Sequence, residues 1–151
     1  MESIKVIARN KKAAHEYYFL ETLECGMVLT GTEIKSVRQG AVSINEAYCQ
    51  VKDDELFIVD MNIAKFDKGN IFNHQETRIR KLLAHKKEIR VLGKKVVLEG
   101  LTLIPLEVYL DRGLAKVKVA LAKGKKAYDK RDDLREKDLN LEVKKAMKKS
   151  R

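Results

Sequence analysis

Beyond residue 122 the chain stops offering what a folded core requires. From Lys123 to Arg151 twelve Lys/Arg stand against six Asp/Glu, so this stretch carries six of the ten net positive charges. Its large apolar side chains are too few for a core of its own. Folding is therefore confined to residues 1–122, enough for one core and not for two, with residues 123–151 as a basic C-terminal tail. A basic extension on a basic body points to a polyanion, nucleic acid first. A solvated tail that only keeps the protein soluble is the alternative that charge leaves open.

The body reads as an ordinary folded domain, 44% of the chain being apolar, although 36% charged is high. Cys25 and Cys49 are isolated thiols, which fits a reducing cytoplasm and two small buried side chains better than a disulfide scaffold. Met1–Val6 contains no signal-peptide apolar region, and no apolar run approaches the roughly 20 residues that span a bilayer. The tail has no Trp or Phe to anchor in a membrane interface, so a membrane ranks below nucleic acid. The expected location is cytoplasmic.

Residues 1–14 are basic and weakly patterned and read as a loose arm. Tyr17–Thr22 and Met27–Thr30 read as two strands joined around Glu24-Cys25-Gly26, with the glycine relieving a turn or bulge. Gly31–Gly40 reads as a short helix capped by Thr32, with Glu33 complementing its dipole and Gly40 stopping it. Lys35 and Arg38 lie outward on that helix. Ala47–Val51 and Leu56–Val59 form a hairpin across Lys52–Glu55, and residues 64–76 form a long polar loop. Ile79, Leu82 and Leu83 are spaced for a helix starting at Thr77, and Ile89, Leu92, Val96 and Val97 for another, weakened by Gly93. Leu101–Leu110 and Ala115–Leu121 are strands about the turn Asp111-Arg112-Gly113, with Pro105 at an edge or bulge. This order predicts a mainly β protein with helices (α+β), a small antiparallel β-barrel of the oligonucleotide-binding type with about three helices.

No metal site is expected, because His15, His74 and His85 are scattered and neither cysteine has a partner at ligand spacing. No G-x-S-x-G or phosphate-wrapping glycine loop occurs, so neither an enzyme site nor a cofactor is expected. Binding residues are plentiful. Lys11 and Lys12 follow Asn10; Arg78, Arg80 and Lys81 would project from one short helix; Lys123, Lys125, Lys126, Lys130 and Arg131 crowd the tail's root. Such clusters, with outward Lys35, suit phosphates. His15, Tyr17 and Tyr18 offer stacking faces for unpaired bases, although strand alternation would put one of the two tyrosines in the core. In the tail, Leu139, Val143, Ala146 and Met147 are spaced for one face of a basic helix that alone would be largely unfolded and could order on a polyanion.

Four segments in register resemble the small protein B (SmpB) family of SsrA-binding proteins. They are Asn10–Tyr17 (NKKAAHEY), Gly31–Ser36 (GTEIKS), Arg78–Leu83 (RIRKLL) and Gly124–Arg131 (GKKAYDKR). The resemblance implies a non-enzymatic adaptor that binds the tRNA-like domain of transfer-messenger RNA and delivers it to stalled ribosomes. It implies a body that grips this RNA around its D-loop and mimics an anticodon arm, through Asn10, Glu24 and Leu83, with His15 and neighbouring cations. It further implies a tail that becomes helical in the ribosome's decoding centre and empty mRNA channel. Tyr128, Asp129, Lys130 and Arg131 match the decoding-site segment, Tyr128 standing where some relatives carry histidine. Leu139 replaces a tryptophan found in some relatives, and Met147 and Lys148 match a later element. A monomer when free is expected. The runner-up is a general β-barrel RNA chaperone or ribosome-associated RNA-binding protein.

Overall fold

A computed structural model describes residues 4–66 and 73–126. In chain order these form β1 (Ile4–Arg9), α1 (Ala13–Glu16), β2 (Tyr17–Met27), α2 (Gly31–Arg38), β3 (Val42–Ser43), β4 (Tyr48–Lys52), β5 (Glu55–Val59), β6 (Asn62–Ile63), β7 (Arg80–Leu83), α3 (Lys86–Glu99), β8 (Thr102–Asp111) and β9 (Leu114–Gly124). The main sheet runs β1-β8-β4-β5-β7-β2-β9, and β8 also pairs with β9, so six strands close into an antiparallel ring with β1 outside it on β8. Closure removes most exposed edges, the usual hazard of a sheet this small. The fold is thus mainly β with three helices, as expected. No helix among the described residues is long and apolar enough to cross a membrane.

The hairpins follow their turn chemistry. Asp53 and Asp54 take positive φ between β4 and β5, and Arg112 and Gly113 do so between β8 and β9. Two consecutive left-handed residues match the right-handed twist of the flanking strands. The register of β8 and β9 shifts between Pro105 and Glu107, so the proline does sit at a bulge. The ring is filled by Leu56, Ile58, Leu82, Leu103, Val108, Val117 and Val119. Cys25 and Cys49 are buried among them, and burial pushes both thiols up, Cys25 to about 12, so both stay protonated.

Four expectations need correction. Residues 4–9 form a strand antiparallel to β8, where the weak pattern had suggested a loose arm. β2 continues through Glu24-Cys25-Gly26 without a turn, pairing Gly26 with both Leu83 and Lys116. A Cβ at residue 26 would make only ordinary contact with Leu83, at 3.5 Å. The cap of α2 is Thr30, two residues before Thr32; its hydroxyl accepts from the Glu33 amide, and the Glu33 carboxylate accepts from the Thr30 amide. Gly40 does take positive φ after α2, as read. Residues 80–83 are strand β7, not helix, so the third helix is α1. Along β7 burial alternates: Arg80 and Leu82 point inward, Leu83 outward. The period is two, hidden because one inward residue is an arginine.

Arg80 is wholly buried. Its Nε donates to Glu33 Oε2 at 2.5 Å, Nη1 to the Met61 carbonyl at 2.6 Å, and Nη2 to the Gln75 and Glu76 carbonyls at 3.3 and 3.0 Å. Arg78 Nη2 donates to the other Glu33 oxygen at 2.5 Å. Burial alone would raise the Glu33 pKa, but the hydrogen bonds from Arg78, Thr30 and Arg80 outweigh it and hold the carboxyl at about 2. Burial lowers the Arg80 pKa, yet a guanidinium so paired remains charged. His74, also buried, lies alongside, with Nε2 donating to the Ile63 carbonyl at 2.9 Å and Nδ1 2.9 Å from Thr32 Oγ1. Gly93 of α3 lies where a Cβ would come within 3.2 Å of Val51 Cγ1, so the residue that weakens the helix lets it seat on β4.

Glu33→Ala would strand the Arg80 charge in the core and should cost about 3–5 kcal/mol in urea unfolding at neutral pH. A depressed carboxyl stabilises above its unfolded pKa, about 4.3, and that contribution disappears as pH falls toward the folded value. Stability should therefore drop by roughly 3 kcal/mol from this group between about pH 5 and pH 2. A Glu33→Gln chain followed over the same range should lack that component.

Candidate nucleic-acid interface

The candidate residues fall into two groups at opposite ends of β2. Tyr17 begins the strand and Glu24 lies seven residues on, roughly 23 Å at the rise of a β-strand.

The first group surrounds α1. The bulge at Pro105 turns two carbonyls toward Asn10, whose backbone amide donates to Leu106 O at 2.8 Å and whose Nδ2 donates to Pro105 O at 3.1 Å. Asn10 Oδ1 accepts from the Ala13 amide at 3.2 Å, and Ala13 is buried with Ile104 and Ala122. Asn10 thus pins the start of α1 while keeping a second amide hydrogen and a lone pair for a ligand. Lys11, Lys12 and His15 are exposed on this pinned segment, and Tyr17 is half-buried against the small cluster beneath. Of the adjacent tyrosines, Tyr17 is therefore the more enclosed, and Tyr18 is 40% exposed. A polar cleft of about 230 Å³ lies here between Asn10, Glu16, Asn45 and Thr102. Glu46 makes a hydrogen-bonded ion pair with Lys12, which raises the lysine pKa. Lys123 lies opposite Tyr18 in the register of β2 and β9, and Lys125 and Lys126 follow the end of β9, so the tail's root leaves the sheet beside this group.

The second group lies where β2 meets β7. Leu83 is 52% exposed and packs against Gly26. It lines a groove of about 380 Å³ together with Met27, Leu29, Leu114, Arg38 and Lys116. Glu24 is exposed opposite Lys118, and burial together with the Glu24 charge pushes the Tyr109 hydroxyl up to about 12. An apolar floor with Arg38 in its lining, and Lys116 paired with Asp111 at 3.1 Å, suits a base or ribose carrying a phosphate. The sequence places Arg38 outward on its helix and assigns Leu114 no role; neither strand nor helix spacing marks them as groove residues.

The expected cluster of Arg78, Arg80 and Lys81 on one helix does not exist, because these residues lie on and before β7. Arg80 is inside and held by Glu33 and backbone carbonyls, Arg78 is tethered to Glu33, and Lys81 pairs with Glu55 at 3.0 Å. Lys35 is exposed with its ammonium 5.4 Å from the Phe66 ring centroid. Tyr128, Asp129, Lys130, Arg131, Met147 and Lys148 lie outside the described residues, as does the amphipathic spacing around Leu139. Among the described residues no three His, Cys, Asp or Glu side chains gather as metal ligands.

The family model described as SmpB protein matches residues 7–149. The SsrA-binding protein of Shouchella clausii (strain KSM-K16) is 49% identical over 144 residues, covering 95% of this chain and 92% of the relative. That of Caldicellulosiruptor saccharolyticus is 50% identical over 147 residues, covering 97% and 93%. A solved chain described as "tmRNA-SmpB: a journey to the center of the bacterial ribosome" superposes with a TM-score of 0.67 at 44% identity, over 83% of this chain and 86% of that one.

If the α1 edge takes a phosphate, Lys12→Met should weaken binding of a structured RNA and lower the slope of log K against log salt by about 1. Glu46→Gln, which frees Lys12 from its carboxylate, should tighten binding by about twofold at low salt. Filter binding across a salt series measures both.

Proposed function

The chain belongs to the SmpB protein family, and from that membership and the two-ended interface we infer an RNA-binding adaptor of trans-translation, with transfer-messenger RNA and the ribosome as its partners. The observation that carries this reading is the extent of the match, residues 7–149, which takes in both interface groups and the basic tail. The adaptor works in the cytoplasm and performs no covalent chemistry; it contributes charge and shape.

The body grips the tRNA-like domain of the RNA. Lys11 and Lys12 neutralise backbone phosphates, Asn10 and His15 hydrogen-bond to nucleotides, and Tyr17 borders the contact. At the far end of β2, Leu83 packs against a base or ribose, and Glu24 accepts hydrogen bonds from base edges or orients a cation, the uses of a carboxylate that suit a polyanion surface. Two contacts roughly 23 Å apart on one strand read a rigid RNA shape better than a single patch would. Arg80 is not part of this surface; it holds the fold that presents it. Lys81 and Arg78, held by carboxylates, contribute field more than direct contacts.

The tail, from Lys123 through Tyr128–Arg131 to Met147 and Lys148, probes the decoding centre and the empty mRNA channel, ordering where mRNA would otherwise lie. This licenses rescue on a ribosome whose channel is vacant.

In competition across a salt series, the tRNA-like domain of transfer-messenger RNA should outcompete ordinary tRNA, with a preference that survives moderate salt. Affinities that are equal and collapse together would point to the general RNA chaperone instead. A chain ending at Lys130 should bind the isolated tRNA-like domain within about threefold of the full chain while losing ribosome rescue. Equal loss of both activities would contradict the division between body and tail.

A further inference from the structure

Just past the end of β9, Lys125 ties the chain back to α1 through both its backbone and its side chain. The Lys125 backbone amide donates to the Glu16 carbonyl at 2.9 Å, and its ammonium donates to the Ala14 carbonyl at 3.1 Å. The same ammonium lies 4.9 Å from the centroid of the Tyr18 ring. One residue thus meets three members of the segment 14–18. The two carbonyls belong to the end of α1, where backbone acceptors have no partner within the helix and where a cation is favoured. The negative face of the tyrosine ring holds the same charge from another side.

The segment that receives Lys125 is itself immobilised. Asn10 pins its start to the Ala13 amide and to the Pro105 bulge, Ala13 is buried, and Tyr17 pairs with Gly124 across the sheet. The stretch from Asn10 to Tyr18 also carries the exposed Lys12 and His15. One fixed element therefore carries exposed basic groups and also receives the exit of the basic tail.

We propose that Lys125 is a positioning residue, a clasp that fastens the exit of the tail to α1 and so sets the direction in which the tail leaves the RNA-binding edge. The proposal rests on the adaptor reading given above and deepens it. A tail that starts from a fixed point and heading searches a smaller volume for its site, which raises its effective concentration there. Removing the clasp leaves every residue of the tail present and both RNA-contacting groups intact. It costs only the heading.

The test uses the full-length chain. Lys125→Met keeps the aliphatic stem and removes the charge and the side-chain donor. It should leave affinity for the tRNA-like domain within about twofold and reduce rescue of stalled ribosomes by about fivefold or more. Lys125→Arg, which can both donate to a carbonyl and stack on Tyr18, should retain at least about half of the rescue activity. Lys52→Met, an equal loss of charge on the far hairpin, should rescue like the unmodified chain. Amide exchange followed by NMR supplies a readout independent of the ribosome: the residue-125 amide should exchange about tenfold faster in Lys125→Met. The clasp is overturned if Lys125→Met rescues normally, if Lys52→Met fails equally, or if the residue-125 amide is unchanged. Should the unmodified chain show no preference for transfer-messenger RNA, the adaptor reading falls, and the exchange measurement still decides the clasp.

Discussion

The buried contact between Glu33 and Arg80 is the constraint on which the ring depends. An arginine cannot enter a core unless its charge is paired and its donors find partners, and here one guanidinium makes four hydrogen bonds, to a carboxylate on α2 and to three backbone carbonyls, at Met61, Gln75 and Glu76. Those partners lie on segments that no continuous strand joins. Glu33 adds the Thr30 amide and Arg78 to the same network. The helix that would otherwise lie loosely over the ring is thereby tied to β7 and to the chain before it. An apolar pair would pack such a site as tightly, but it could not demand those particular carbonyls.

Once the ring is set, β2 acts as the ruler of the interface. Its eleven residues match the eleven of β9, with which it pairs along almost its whole length. One end carries α1 and the tail's exit, the other carries Glu24 and the groove beside Leu83. Because both ends belong to one hydrogen-bonded strand, the spacing of the two groups is stiff. That stiffness suits recognition of a folded RNA, where shape and separation carry more information than any single base contact. The ordering cost of this surface has been met in folding the body.

Much of this was legible in the residues. The two hairpins were readable because Lys52–Glu55 and Asp111-Arg112-Gly113 separate apolar runs with polar or glycine turns, a local signal that needs no tertiary knowledge. The Pro105 bulge, the helix around Ile89 and Leu92, and the stop at Gly40 were local in the same sense. Asn10, Lys11, Lys12 and His15 were visible as a basic, polar run, although nothing in it announced that Asn10 would dock into the bulge of a strand 95 residues away. The family resemblance supplied Glu24 and Leu83, which no spacing rule would have selected.

The misreadings share one cause. Helical spacing at Ile79, Leu82 and Leu83 was persuasive because an inward arginine disguised a two-residue alternation, and only the distant Glu33 makes an inward arginine possible. Ile4–Arg9 looked unpatterned because it is an outlying strand exposed on much of its surface, so its order comes from β8 and not from its own apolar residues. Charge distribution, turn chemistry and apolar periodicity are local quantities, and from them the sequence determined the folded body, its basic tail and most of its hairpins, and pointed to a polyanionic partner. Which charges face outward, where the ring closes, and how the tail's exit meets α1 were decided by the tertiary structure. A buried ion pair, a strand without a pattern and a lysine clasp each take their energy from partners far away in the chain.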